Sequence, residues 1–61
     1  MIITLKDGSK REVKEGISVI DLAKEISEGL ARVATAGRVD GKVVDLRYNL
    51  NKDCNVEILT F

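Results

Sequence analysis

Histidine is absent from the 61 residues. That removes the commonest general base and the commonest metal ligand. The single cysteine, Cys54, lies between Asp53 and Asn55 at the start of a strand pattern. One thiol supplies neither a thiolate zinc site nor an intrachain disulfide, and Cys54 reads as a small packing residue. Of the ten carboxylates, only Asp21, Glu25 and Glu28 share a helix face. Lys24 beside them and the positive end of the helix make that group a solvated face rather than an acid–base pair. Glycines at 8, 16, 29, 37 and 41 spell neither a Walker loop nor a dinucleotide fingerprint. Gly37 alone falls inside a strand pattern, where a bulge, or a close backbone approach beside a groove, accounts for it. The remaining chemistry is cationic. Arg32, Arg38, Lys42 and Arg47 follow the helix, two of them flanking Asp40-Gly41; ordinary surface charge is the plain reading, and a modest ridge that attracts RNA phosphates or another anionic ligand is the functional one. Tyr48 and Phe61 are the only aromatic residues, so this ridge lacks the stacking partners that read single-stranded bases.

Composition sets the frame. Ten basic and ten acidic side chains cancel, which argues against a strong electrostatic nucleic-acid binder. A hydrophobic fraction of 44% with 33% charged residues is that of an ordinary globular domain. With 3% aromatics the core must be aliphatic. Sixty-one residues make one domain that buries roughly 60% of its unfolded surface. No apolar run of membrane-spanning length is present, and the start lacks signal-peptide features. Together with the lone thiol this fits a reducing, cytoplasmic setting.

The element that must organise everything else is a helix predicted over Ile17 to Gly29. Ser18 is its N-cap, Asp21 stands at the capping-box position, and Ile17 with Leu22 has hydrophobic-staple spacing. Val19, Leu22, Ala23, Ile26 and Leu30 form one apolar stripe at helical period, and Gly29 is expected to end the helix in the left-handed region. Leu30-Ala31-Arg32 is expected to be a short turn.

Around the helix the pattern is extended. Met1 to Leu5 reads as a strand with Met1, Ile3 and Leu5 on one side and Ile2 and Thr4 on the other. Asp7-Gly8 signals a hairpin into the polar edge strand Lys10 to Lys14. Val33 to Val39 is a third strand whose inward phase is open. Asp40-Gly41 is a second hairpin signal into Lys42 to Leu46. Arg47 to Cys54 is irregular, with Leu50 plugging the core, and Asn55 to Phe61 is the last strand.

Strand, strand, helix, strand, strand, strand is the order of an α+β, β-grasp (ubiquitin-like) fold: a small mixed sheet with one helix packed on one face. A ferredoxin-like split βαβ fold is the runner-up, and it needs two helices. With the first and last strands paired centrally, Ile2, Thr4, Leu59 and Phe61 are expected side by side on the face away from the helix. Nothing in the chain covers that apolar face, which suits docking of a following domain; fraying of Phe61 in solvent is the bland reading. Because Val56 to Phe61 still reads as strand, the segment 1–61 is expected to be a single domain excised from a longer chain.

Several stretches resemble the N-terminal TGS domain of threonyl-tRNA synthetases: Ile3-Thr4-Leu5 with Asp7-Gly8-Ser9, Gly29-Leu30-Ala31, Ala36-Gly37-Arg38-Val39-Asp40-Gly41, Val44-Asp45, and Glu57-Ile58-Leu59-Thr60. The resemblance covers essentially the whole chain, and the Gly-Leu-Ala and Ala-Gly-Arg-Val-x-Gly spacing is its specific part. TGS domains also occur in a class of GTPases and in stringent-response enzymes, but the latter carry a Thr-Pro after the first strand and histidines near the helix, both missing here. The resemblance implies a β-grasp module. It also implies a parent, homodimeric and cytoplasmic, that activates threonine with ATP and magnesium, holds zinc, and loads tRNA. ATP, magnesium and zinc would lie in the editing and catalytic domains that follow, so no catalytic, cofactor-binding or metal residue is carried onto this chain. The segment itself is expected to be non-catalytic: a regulatory or interdomain module, or a weak RNA- or ligand-binding one. The alternative is a free-standing β-grasp protein, either an interaction module or a sulfur carrier. A sulfur carrier requires a C-terminal Gly-Gly, whereas this chain ends Leu59-Thr60-Phe61.

Overall fold

Helix α1 runs Val19–Ile26 and starts where the cap residues place it. The Ser18 hydroxyl accepts from the Asp21 amide at 3.2 Å, and the Ser18 carbonyl accepts from Leu22 at 2.9 Å. The two amides before these are met by a loop that follows the fourth strand. Val19 donates to the Tyr48 carbonyl at 3.0 Å and Ile20 to that of Leu46 at 2.9 Å. The open amides of the first three helical residues, Val19, Ile20 and Asp21, are thus satisfied. The same loop inserts Leu50, which is 1% exposed, into the core, and two backbone bonds clamp it there: Leu50 donates to Ile17 and Gly16 donates to Leu50.

The helix ends earlier than glycine punctuation predicts. Ser27 is extended (φ −169°, ψ 135°), and a second helix, α2, runs Glu28–Val33. The Ser27 amide closes α1 by donating to Ala23 at 2.9 Å, and its hydroxyl accepts from Leu30 at 3.4 Å. One residue therefore caps both helices. Gly29 lies inside α2 without a positive φ, so it does not terminate α1, and Leu30-Ala31-Arg32 is helical rather than a turn. Serine followed by an acid is an N-terminal signal, and here it outcompetes the glycine.

The computed structural model describes residues 1–60; Phe61 lies outside them. Within these, five strands form one sheet. They are β1 (Ile2–Thr4), β2 (Lys10–Glu12), β3 (Ala34–Val39), β4 (Lys42–Val44) and β5 (Cys54–Thr60), in the order β2-β1-β5-β3-β4. β1 and β5 are parallel; the other pairs are antiparallel. The central parallel pair with both helices between the hairpins makes this the β-grasp arrangement, despite the second helix. Both hairpins turn where expected, though in the first only Gly8, not Asp7, takes a positive φ. Gly8 has φ 89°, and Asp40 and Gly41 both lie in the left-handed region at 50° and 87°, as a two-residue hairpin loop demands.

One face of the sheet carries the helices. Ile3, Val19, Leu22, Leu50, Val56 and Val13 form the buried cluster, and Ala23 is fully buried beside it. This core is wholly aliphatic. The phase of β3 follows from Gly37: a β-carbon there would lie 2.7 Å from Val19 Cγ1, so Gly37 faces α1. Ala36 and Arg38 therefore face away. A register shift between Ala34 and Ala36 bends the start of the strand.

Candidate functional site

The helix-free face of the sheet is where the sequence places a docking surface, and its chemistry differs from that expectation. Arg38 is paired with Glu57 across β3 and β5, and on this face Glu57 accepts two cations. Its Oε1 lies 3.2 Å from Arg38 Nη1 and its Oε2 lies 3.3 Å from Lys6 Nζ. The middle of the face is thus an ion-pair triad. The expected apolar neighbours are separated by it. Ile3 pairs with Cys54 and Thr4 with Asn55, so Ile2 and Thr4 sit beside the start of β5, and the Ile2 amide donates to Asp53 Oδ1 at 2.8 Å. Leu59 is four residues farther along, opposite Ala36. Both strands of the parallel pair run in one direction from aligned starts, which sets this stagger. Phe61, the fourth residue of the expected patch, lies outside the described residues.

The four cations of the expected ridge are also dispersed. Arg38 is on the helix-free face, engaged by Glu57. Arg32 belongs to the last turn of α2 and lines a shallow groove with Ile20, Lys24, Glu28 and Ala31, on the helix side. Lys42 begins β4 opposite Val39, and Arg47 lies 3.9 Å from Asp45 in the loop beyond. No single surface gathers them.

A second feature lies along β5. β5 is seven residues long and β1 only three. β1 pairs with β5 at Cys54 and Asn55 and then turns away at Asp7-Gly8. In the antiparallel β3–β5 pair, residues alternate between facing β3 and facing outward. Asp40 donates to the Asn55 carbonyl at 2.9 Å, and Thr35 Oγ1 donates to that of Leu59 at 3.3 Å. The backbone of residues 55, 57 and 59 therefore points to β3, and that of Ile58 and Thr60 points to the β1 side. Among the described residues nothing pairs with β5 on that side beyond Asn55. An open groove of about 480 Å³ lies there. Leu5, Ile26, Leu30 and Ile58 give it apolar walls, and Lys6 and Asp7 stand at its mouth. The only advance sign is the mismatch between an early Asp7-Gly8 turn and a long final strand.

The titratable groups are placed for structure. The Asp7 carboxylate accepts from the Ser9 hydroxyl at 2.6 Å and the Ser9 amide at 2.9 Å. These two bonds hold its pKa below the usual aspartate value. Burial, and then the Asp40 carboxylate, push the Cys54 thiol up, which suppresses the thiolate that a reactive cysteine needs. The start of α1 cannot hold a phosphate, because protein carbonyls and the Ser18 hydroxyl already occupy its amides. Among the described residues no group of three or more metal-ligating side chains converges, and no helix is long and apolar enough to cross a membrane. The described residues therefore offer no ligand set for a zinc ion.

The TGS domain family matches residues 1–60. The chain is 59% identical over 59 residues to the threonine–tRNA ligase of Desulforamulus reducens, covering 97% of this chain and 9% of that protein. The figures are the same for the threonine–tRNA ligase of Acetivibrio thermocellus. Identity to that of Caldanaerobacter subterraneus subsp. tengcongensis is 51% over 61 residues, all of this chain and 10% of the relative. The chain thus spans about a tenth of the length of the curated relatives it matches.

Proposed function

The chain belongs to the TGS domain family, and from that premise we propose that it is the accessory N-terminal domain of a cytoplasmic threonine–tRNA ligase. The observation that carries this reading is the match of nearly the whole chain, at 59% identity, to a short part of such a ligase. In the parent, ATP with magnesium and zinc would serve threonine activation and transfer to tRNA. Those groups would be held in the domains that follow. The chain's own contribution is a rigid docking module. Ile2, Thr4 and Leu59 flank the Lys6–Glu57–Arg38 triad on the helix-free face, and this mixed surface meets the editing and catalytic domains of the parent homodimer. Contact with tRNA, if made through Arg38 and Lys42, is weak and salt-sensitive, since the cations are dispersed.

Deleting residues 1–60 from the full-length ligase tests the reading. Threonine-dependent ATP–pyrophosphate exchange should persist within about threefold, because an accessory domain supplies no transition-state contact. Loss of that exchange by the orders of magnitude typical of a missing catalytic group would overturn it. Ile2→Lys in the whole ligase should raise protease sensitivity at the domain junction; unchanged cleavage would count against docking through this face.

A further inference from the structure

Unpaired strand edges usually lie at the border of a sheet, where charges and short length discourage pairing. Here the unpaired stretch belongs to the central strand β5, and its outward residues, Ile58 and Thr60, bear no charge. Beside it the groove offers apolar side chains from both layers: Ile26 and Leu30 from the helices, Leu5 and Ile58 from the sheet. We propose that this groove receives an extended segment of the parent ligase's own polypeptide, which pairs with β5 at Ile58 and Thr60 as an added strand. The proposal rests on the accessory-domain reading above.

Three observations choose that occupant. The first is geometry. An added strand takes main-chain bonds from the edge and alternates its side chains between two faces. Every second residue would enter the pocket formed by Ile26 and Leu30, and the others would lie beside Leu59. The second is charge. Lys6 is paired with Glu57, and the Asp7 carboxylate is turned onto the Ser9 hydroxyl and amide, so the walls left for a ligand are those of Leu5, Ile26, Leu30 and Ile58, which favour an uncharged, apolar segment. The third is strength. An edge this short offers only a few main-chain bonds, each with a modest net contribution. That is too little to hold a free peptide against the cost of association. It is enough for a tethered segment, whose effective concentration is in the millimolar range. The matched region is 9% of the relatives' length, so a ligase of this kind has ample chain to provide one.

Hydrogen–deuterium exchange tests this on the full-length ligase and on the 61-residue chain, following a peptide that spans 55–60. The Asn55 amide donates to Asp40, Val56 faces the paired part of β1, and residues 57 and 59 are protected by β3 in both, so a difference is assigned to Ile58 and Thr60. Their exchange should slow by about tenfold or more in the ligase, the change expected of amides that gain a protein partner. Equal rates in a ligase that threonylates tRNA normally would overturn the proposal and leave the accessory-domain reading standing. Protection already present in the 61-residue chain, growing with its concentration, would identify a second copy as the occupant and also overturn it. A full-length protein without threonylation activity would overturn both.

Discussion

A β-carbon on Gly37 would lie 2.7 Å from Cγ1 and 3.2 Å from Cγ2 of Val19, so the central sheet and helix α1 meet at a point that admits only glycine. Gly37 is buried and Val19 is fully so. Neither can shift without disturbing the helix start, where Ser18 and the loop carbonyls fix the backbone. A conformational reason for this glycine is absent, since its φ is not positive; space alone requires it.

Gly37→Ala should therefore destabilise the domain by about 1–3 kcal/mol, the range for overpacking a filled core. The same change made in a Val19→Ala background should cost clearly less, because the clash is with the valine methyls. Urea denaturation of the four proteins in this cycle checks it. An equal cost in both backgrounds would mean that the glycine serves some other purpose.

Ser27 stops one helix and starts the next. Ser27→Ala keeps the backbone stop but removes the acceptor for Leu30, and should cost about 0.5–1 kcal/mol, the low end for a cap, as befits a bond of 3.4 Å. Circular dichroism during thermal unfolding reads the loss. Ser27→Asp, which restores an acceptor, should recover it.

The triad on the helix-free face is half in solvent: Lys6 and Arg38 are 78% and 45% exposed, Glu57 26%. Pairs of this kind contribute little, and Glu57→Gln should cost no more than about 1 kcal/mol at low salt. At about 1 M salt, where the Debye length is near 3 Å, the difference between the two proteins should shrink towards zero. Chemical denaturation with urea at both ionic strengths measures it, and a difference that salt leaves untouched would refute an electrostatic role.

Asp7 links the first hairpin to pH. Its folded pKa is depressed by the Ser9 hydroxyl and amide. Its contribution is therefore complete above the unfolded aspartate value, about 3.9, and is lost as the pH falls through the folded value. The Ser9 amide resonance should titrate below that unfolded value in the native chain. In Asp7→Asn this titration should vanish. A midpoint above pH 4 in the native chain would contradict the depressed value.

Local pattern was enough for much of this molecule. The stripe Val19, Leu22, Ala23 with its Ser18 cap, the two Asp-Gly hairpins, the alternation that buries Ile3, and the core role of Leu50 could all be read from residue types and short spacings. Each of those signals is local: a period shows which side of an element avoids water, and a turn residue shows where the backbone must reverse. Tertiary structure alone decided the rest. The stagger of the parallel β1–β5 pair, set by packing between residues fifty apart, put Glu57 rather than an apolar patch at the centre of the open face and drew Lys6 and Arg38 to it. That stagger also left Ile58 and Thr60 without a strand partner on the β1 side among the described residues. The approach of Val19 fixed both the phase of β3 and its glycine. None of these is visible in a one-dimensional pattern, because each depends on the distance between elements rather than on the character of any one of them.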